Sequence, residues 1–291
     1  MTQLLLNITV SFGIILLIGY SFQCVYSALR FFHLAHAVSL ALGGYLVYGF
    51  SISCGMPLTA AVILSVLGGV VIMLLIYHFI YRLGERKQLA SWKMMVISLG
   101  LYVVLQNIIS MIWGDTRLSL RTWDVPVGYK VFGGYITNIQ IITILVSVAL
   151  VALGQLFVSK TTIGKKMHAV ATNPEMSAVL GISNNSVMAF SLAIGTTLMA
   201  CAGILIAADV DMTPTMGFDW LLYGVVAMII GGMGRTRYMV LGALLLATAQ
   251  HLAAFFLDSK WMNATAYIIL IVFLCFRPYG FSGRRLKKTE V

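Results

Sequence analysis

Intramembrane or catalytic chemistry needs titratable or nucleophilic groups brought together, and this sequence contains few sets that could supply it. His33 and His36 stand three residues apart, so on a helix both face one side, as metal ligands do. No nearby carboxylate or thiolate completes a site, so no metal is expected, and the pair reads as histidines hydrogen-bonded to neighbouring helices at the mouth of a span. His78 and His251 are isolated in apolar runs. Cys24, Cys54, Cys201 and Cys275 lie in or beside apolar stretches without a Cys-x-x-Cys pair, and read as small buried hydrophobes. The stretch from Gly154 through Ser159-Lys160-Thr161 is one residue short of a phosphate loop. It lacks the second glycine that lets a backbone wrap phosphates, and a bulky apolar helix runs straight into it. Asp209, Asp211 and Asp219 gather at the ends of two apolar runs, as a solvated rim or as a vestibule for a cationic group. No Ser/His/Asp or Cys/His set converges, so no catalytic residue is assigned.

The elements that must carry these residues are membrane spans. Of 291 residues, 60% are hydrophobic and only 10% charged, with a mean hydropathy of +0.96, against about 45–50% and about 25% in soluble domains. A water-soluble core cannot hide that much hydrocarbon. Uninterrupted apolar runs fall near residues 4–28, 34–53, 58–81, 94–113, 137–158, 187–208, 219–234, 238–257 and 264–277. The expected fold is all-α, a polytopic membrane protein of about eight or nine transmembrane helices, some short or broken at glycines. It forms one transmembrane domain over residues 1–291. Spans of roughly 20 residues each leave only loops, so any nucleotide-driven engine belongs on another chain. The run at 4–28 has no basic segment before it and is too long for a signal peptide, so it is expected to remain as a helix.

Net charge is +10. Fifteen of the nineteen basic residues fall in alternate connections: Arg30, the 82–93 loop, the 160–166 loop, Arg235 and Arg237, and the tail from Arg277. Arg117, Arg121, Lys130 and Lys260 occupy the other side. Such asymmetry is a topology signal, not a nucleic-acid patch; it places the N-terminus outside and the C-terminus in the cytoplasm.

Two connections are long. Residues 114–135 mix Trp113, Trp123 and Tyr129 with charges and Gly133-Gly134, the composition of an external cap at the membrane interface. Residues 159–185 form a polar inner loop in which Lys165, Lys166, Met167, His168 and Ala169 favour a helix. That helix breaks at Asn173-Pro174, and a second short one over Glu175–Leu180 stops at Gly181. A cytoplasmic helix–turn–helix of this kind is a docking surface. Gly43, Gly44, Gly224, Gly231, Gly232 and Gly234 crowd two of the spans, where glycine permits either close helix packing or a helix break beside a substrate path.

Four blocks taken together resemble the permeases of branched-chain amino acid (LIV-type) ABC importers. Leu29-Arg30-Phe31-Phe32-His33-Leu34-Ala35-His36-Ala37, leading to Leu42-Gly43-Gly44-Tyr45, is similar to the family's N-F-A-H-G … G-A-Y signature. Ile97 to Asn107 is similar to its I-G-L-S-L-I-L-Q-N span. Gly164-Lys165-Lys166-Met167-His168-Ala169, then Asn173, Ala178 and Leu180-Gly181-Ile182, follow its G-R-A-x-R-A … A-x-L-L-G-I loop. Ile230-Gly231-Gly232-Met233-Gly234 through Gly242, closing on Arg277-Pro278-Tyr279-Gly280-Phe281, follow its G-G-x-G … P-x-G finish. The blocks depart from the pattern at His33 for Asn, Ala37 for Gly, and Lys165/Lys166 and His168 for the two loop arginines.

The resemblance implies a permease subunit in the bacterial inner membrane that moves branched-chain or other small amino acids by alternating access. It implies two ABC ATPase subunits, a second related permease and an extracytoplasmic solute-binding protein as partners, besides the lipid bilayer. The chain itself is then no enzyme and holds no cofactor; ATP and Mg belong to the ATPases. Gly164, Lys165, Lys166, His168, Ala169, Asn173, Pro174, Ala178 and Gly181 would couple to the ATPase. His33, His36, Gly43, Gly44, Gly231, Gly232 and Gly234 would border the substrate path. A urea or short-amide permease and a passive channel for small neutral solutes are the alternatives.

Overall fold

The computed structural model describes residues 1–121, 128–131, 133–232, 234, 236–277 and 280–281. Trp123, Asp124, Arg235, Pro278, Tyr279 and the basic tail beyond Phe281 lie outside the described residues.

Six helices are long and apolar enough to cross a membrane: α1 (Thr2–Leu29), the run Leu58–Arg86, α5 (Ser91–Trp113), α6 (Asn138–Lys160), α9 (Asn184–Asp209) and α11 (Thr236–Phe256). Within Leu58–Arg86, α3 (Leu58–Ile76) passes through a π-helical turn into the short α4 (Arg82–Arg86). Three further apolar helices are shorter: α2 (His36–Tyr48), α10 (Met216–Gly231) and α12 (Trp261–Phe276). The expected second span is thus 13 helical residues followed by a π turn at Gly49–Ser53. The seventh is unbroken. Its glycines Gly232 and Gly234 lie past its end, at φ +96° and +90°, and make the turn into α11.

The bundle is built around α1, which packs against α6, α9, α10 and α11, while α2 lies in the angle between α9 and α10. The helices come close because small residues face one another. A Cβ on Gly43 would strike the Ala200 carbonyl, and one on Gly203 the Leu40 carbonyl. The Gly43 carbonyl also accepts a hydrogen bond from Ser65 Oγ at 2.7 Å, which ties α3 to α2. Without a hydrophobic force between helices in lipid, contacts of this kind supply the attraction. Outer faces of α3, α5, α6 and α12 remain apolar and exposed, including Leu67, Val104, Leu145 and Ile271, as surfaces that meet lipid or another subunit must.

At the end away from most basic residues, the 114–135 connection folds down in two places. Leu118 and Met212 exchange backbone hydrogen bonds at 3.1 and 2.8 Å, and Arg121 pairs with Asp211 at 3.5 Å. An antiparallel hairpin, β1 (Tyr129–Val131) with β2 (Gly134–Ile136), is held to the start of α1 by Gln3, whose amide both donates to the Tyr135 carbonyl and accepts from the Tyr135 N–H.

Candidate functional site

At the basic end, Thr161 leaves α6 and caps α7 (Thr162–Thr172), its Oγ1 accepting from Gly164 N–H at 3.1 Å. Gly164, Met167 and Val170 recur every third residue and are buried against Val158, Val187 and Ile194. The opposite face carries Lys165, Lys166 and His168, all exposed, with Ala169 half-buried. Asn173 then ends α7 in an extended conformation and caps α8 (Pro174–Val179) by accepting from Met176 N–H at 3.1 Å, with Pro174 at the first helical position where no N–H is needed. Gly181, at φ +79°, closes α8 in the left-handed conformation, donating to the Ala178 carbonyl while Ile182 donates to Ser177.

Two side-chain bonds fix this helix pair to the bundle. Arg30 Nη2 donates to the Ala171 carbonyl at 2.8 Å, joining the end of α1 to α7, and Asn184 Nδ2 donates to the Pro174 carbonyl at 3.1 Å, joining α9 to α8. Beyond Glu175 in its first turn, the exposed face of α8 is apolar. Val179 is 82% and Leu180 72% exposed, with Met176 beside them and Ala178 exposed as well. Sequence reasoning assigned Ala178 to the coupling surface but not Met176, Val179 or Leu180. Their spacing on a helix too short to bury two faces was the available signal.

The histidines lie at the same end, where α1 turns into α2, and both are fully buried. Ser21 Oγ donates its one proton to the Gly195 carbonyl at 2.8 Å, so its 2.8 Å bond with His36 runs from His36 Nε2–H to Ser21 Oγ. His33 is packed between the rings of Phe31, His36 and Tyr81, at 5.9, 5.8 and 5.0 Å. Neither of its ring nitrogens finds a hydrogen-bond partner among the described residues. Burial first, and then His36, hold the His33 imidazole well below its ordinary range, so it is neutral. Among the described residues no group of three or more His, Cys, Asp or Glu comes together to hold a metal ion.

The sequence-assigned path glycines are distributed differently. Gly43 and Gly44 are packing points, the second against Ala207 and Met212. Gly231 packs on the start of α11, with Gly232 and Gly234 in the adjoining turn, where Phe281 N–H donates to the Ile230 carbonyl at 2.9 Å. The histidines and Gly231–Gly234 thus share the basic end with α7 and α8, whereas Gly43 and Gly44 lie within α2.

A bundle of apolar helices with a short helix pair bonded to one end has recognisable relatives. The family model described as "Branched-chain amino acid transport system / permease component" matches residues 4–275. The chain belongs to this family. This permease is 26% identical over 284 residues to the high-affinity branched-chain amino acid transport system permease protein LivH of Escherichia coli K12, covering 92% of this chain and 91% of the relative. It is 26% identical over 281 residues to BraD of Pseudomonas aeruginosa, which carries the corresponding description, with the same coverage. A solved structure of PsaBC from Streptococcus pneumoniae in complex with Fab shares the fold at a TM-score of 0.55 and 13% identity, covering 98% of this permease and 95% of that chain. The chain is a multi-pass membrane permease subunit of a transport system.

Proposed function

We propose that this permease moves branched-chain or other small amino acids across the bacterial inner membrane, as one subunit of an ATP-driven importer working by alternating access. Its closest functional support is the family itself, whose LivH and BraD members are described as branched-chain amino acid permeases. The observation that carries the coupling mechanism is the exposed apolar face of α8, Met176, Val179 and Leu180, at the end where basic residues concentrate. Basic connections stay cytoplasmic, which supports an orientation with α7 and α8 facing a docked ATPase and the N-terminus outside. ATP is hydrolysed on two partner ATPases, which hold the nucleotide and Mg. A second, related permease completes the path, and an extracytoplasmic solute-binding protein delivers the solute to the face bearing the hairpin and Asp211.

In this mechanism the ATPases draw two coupling helix pairs together. Arg30 and Asn184 transmit the motion because they bond α7 and α8 directly to the ends of α1 and α9. The experiment is purification of the chain from its host in mild detergent, followed by mass spectrometry and an ATPase assay. Co-purifying ATPases and a sister permease, with hydrolysis stimulated by a solute-binding protein that binds leucine, isoleucine or valine, are expected. A chain that elutes alone and still conducts solute in vesicles would overturn the proposal.

A further inference from the structure

Asp219 is the one carboxylate of the three-aspartate group that leaves the rim. Asp211 holds Arg121 at 3.5 Å, whereas among the described residues no Lys, Arg or His pairs with Asp219. It lies in the first turn of α10, twelve residues, or about 18 Å, from the end of that helix at Gly231. The ring of the preceding Phe218 packs 5.0 Å from Tyr102, and Tyr102 is eleven residues from either end of α5, again about 16 Å. Both measures place Asp219 within a hydrocarbon layer about 30 Å thick. Yet its side chain is exposed on the surface of this subunit. A carboxylate at that depth cannot face lipid without heavy cost, and such residues in membrane proteins line water-filled paths or meet a charge partner.

What surrounds it is specific. Asp219 and Tyr223 stand four residues apart on α10, and Asn263 and Tyr267 four apart on α12, so each pair forms a stripe on its helix. The stripes face each other: Tyr223 Oη donates to Asn263 Oδ1, and Asp219 is within electrostatic reach of Tyr102, Tyr223 and Tyr267. A carboxylate with no cationic partner among the described residues, near the phenols of Tyr102, Tyr223 and Tyr267 and beside the Asn263 amide that Tyr223 holds, is a receptor for a small organic cation. Carboxylate charge and aromatic quadrupoles both attract an ammonium group.

We propose that Asp219, with Tyr102, Phe218, Tyr223 and Tyr267 around it, receives the α-ammonium group of the solute in the translocation path, an assignment that rests on the amino-acid reading above. The aliphatic side chain of such a solute is left to the apolar walls, so one site serves several amino acids of similar size.

The test uses the complete importer in proteoliposomes, with solute-binding protein in saturating amount so that capture is not limiting. Wild type, Asp219→Asn and Asp219→Glu are compared for uptake of radiolabelled leucine, for ATPase rate and for recovery of the assembled complex. Asp219→Asn is expected to lower uptake at least about tenfold with assembly unchanged, and Asp219→Glu to recover much of it. Leucine uptake by Asp219→Asn equal to wild type would overturn the assignment while leaving the amino-acid reading intact. Loss of assembly in Asp219→Asn would also overturn it, making Asp219 a subunit contact. A wild-type complex that ignores leucine, isoleucine and valine fails the amino-acid reading instead. The assignment then stands only if the solute it does carry bears an ammonium group and Asp219→Asn abolishes that uptake, and a urea or amide substrate overturns both.

Discussion

Single atoms decide much at the residue scale. At Gly43 a side chain would be driven into the Ala200 backbone, so Gly43→Val forces α2 from α9 and is expected to destabilise the protein by about 1–3 kcal/mol, read as a lower midpoint of thermal aggregation in detergent. His33 gives a pH-dependent counterpart. Its folded-state pKa lies below the ordinary value of about 6.5, so as pH falls through that value the unfolded chain takes up a proton that the folded one refuses. Stability is therefore lost toward acid. Thermal midpoints measured at about pH 7 and about pH 5.5 should fall more for wild type than for His33→Asn, which cannot titrate; equal falls would mean that His33 is not the group responsible. His33 was visible in the sequence as one of a spaced pair, but its fate was not. The sequence reads both as hydrogen-bonded to neighbouring helices; His36 bonds Ser21 of α1 in that way, whereas His33 is left among rings.

At the scale of elements, the helix pair after α6 was the most legible part of the chain, because every signal in it is local. The break at Asn173-Pro174, Pro174 at the first turn and the stop at Gly181 act on neighbours within six residues, and the structure uses each of them, adding an Asn173 side-chain cap. Charging the outer face of α8 with Val179→Asp or Leu180→Asp should leave the permease folded, since both side chains are exposed, while sharply lowering solute-dependent ATP hydrolysis and uptake. Unchanged coupling would remove α8 from the docking surface. Gly181→Val is the complementary variant. Open space surrounds Gly181, so only its backbone conformation is opposed, by about 1–2 kcal/mol, and the expected result is hydrolysis without transport in a complex that still assembles. What was not legible depended on distant partners. The second apolar run reads as one span over 34–53, yet the helix widens into a π turn after Tyr48, one turn beyond the contact of Tyr45 with Trp113 of α5 at 5.5 Å. Asp219 reads as one of three aspartates at a rim or vestibule, because hydropathy cannot see that the preceding Phe218 packs on Tyr102, midway along α5.

For the whole molecule, orientation is the property most open to a direct check. Cys54 is exposed in the connection after α2, on the side that the proposed orientation makes external, whereas Cys24 is buried in α1. A membrane-impermeant maleimide added to intact spheroplasts should label wild type but not Cys54→Ser; labelling only after lysis would invert the topology. The same bundle also dictates an order of events. The helix at its centre, α1, is synthesised before the helices that pack on it, and one of its main neighbours, α11, begins about two hundred residues later. At about 5–20 residues per second, Ser11 waits some tens of seconds in the bilayer before His251 arrives to meet it at 2.7 Å. Until then a helix made for the interior stands among lipids with its small and polar positions uncovered, the period in which membrane chaperones and proteases have their best opportunity to choose between keeping this subunit and removing it.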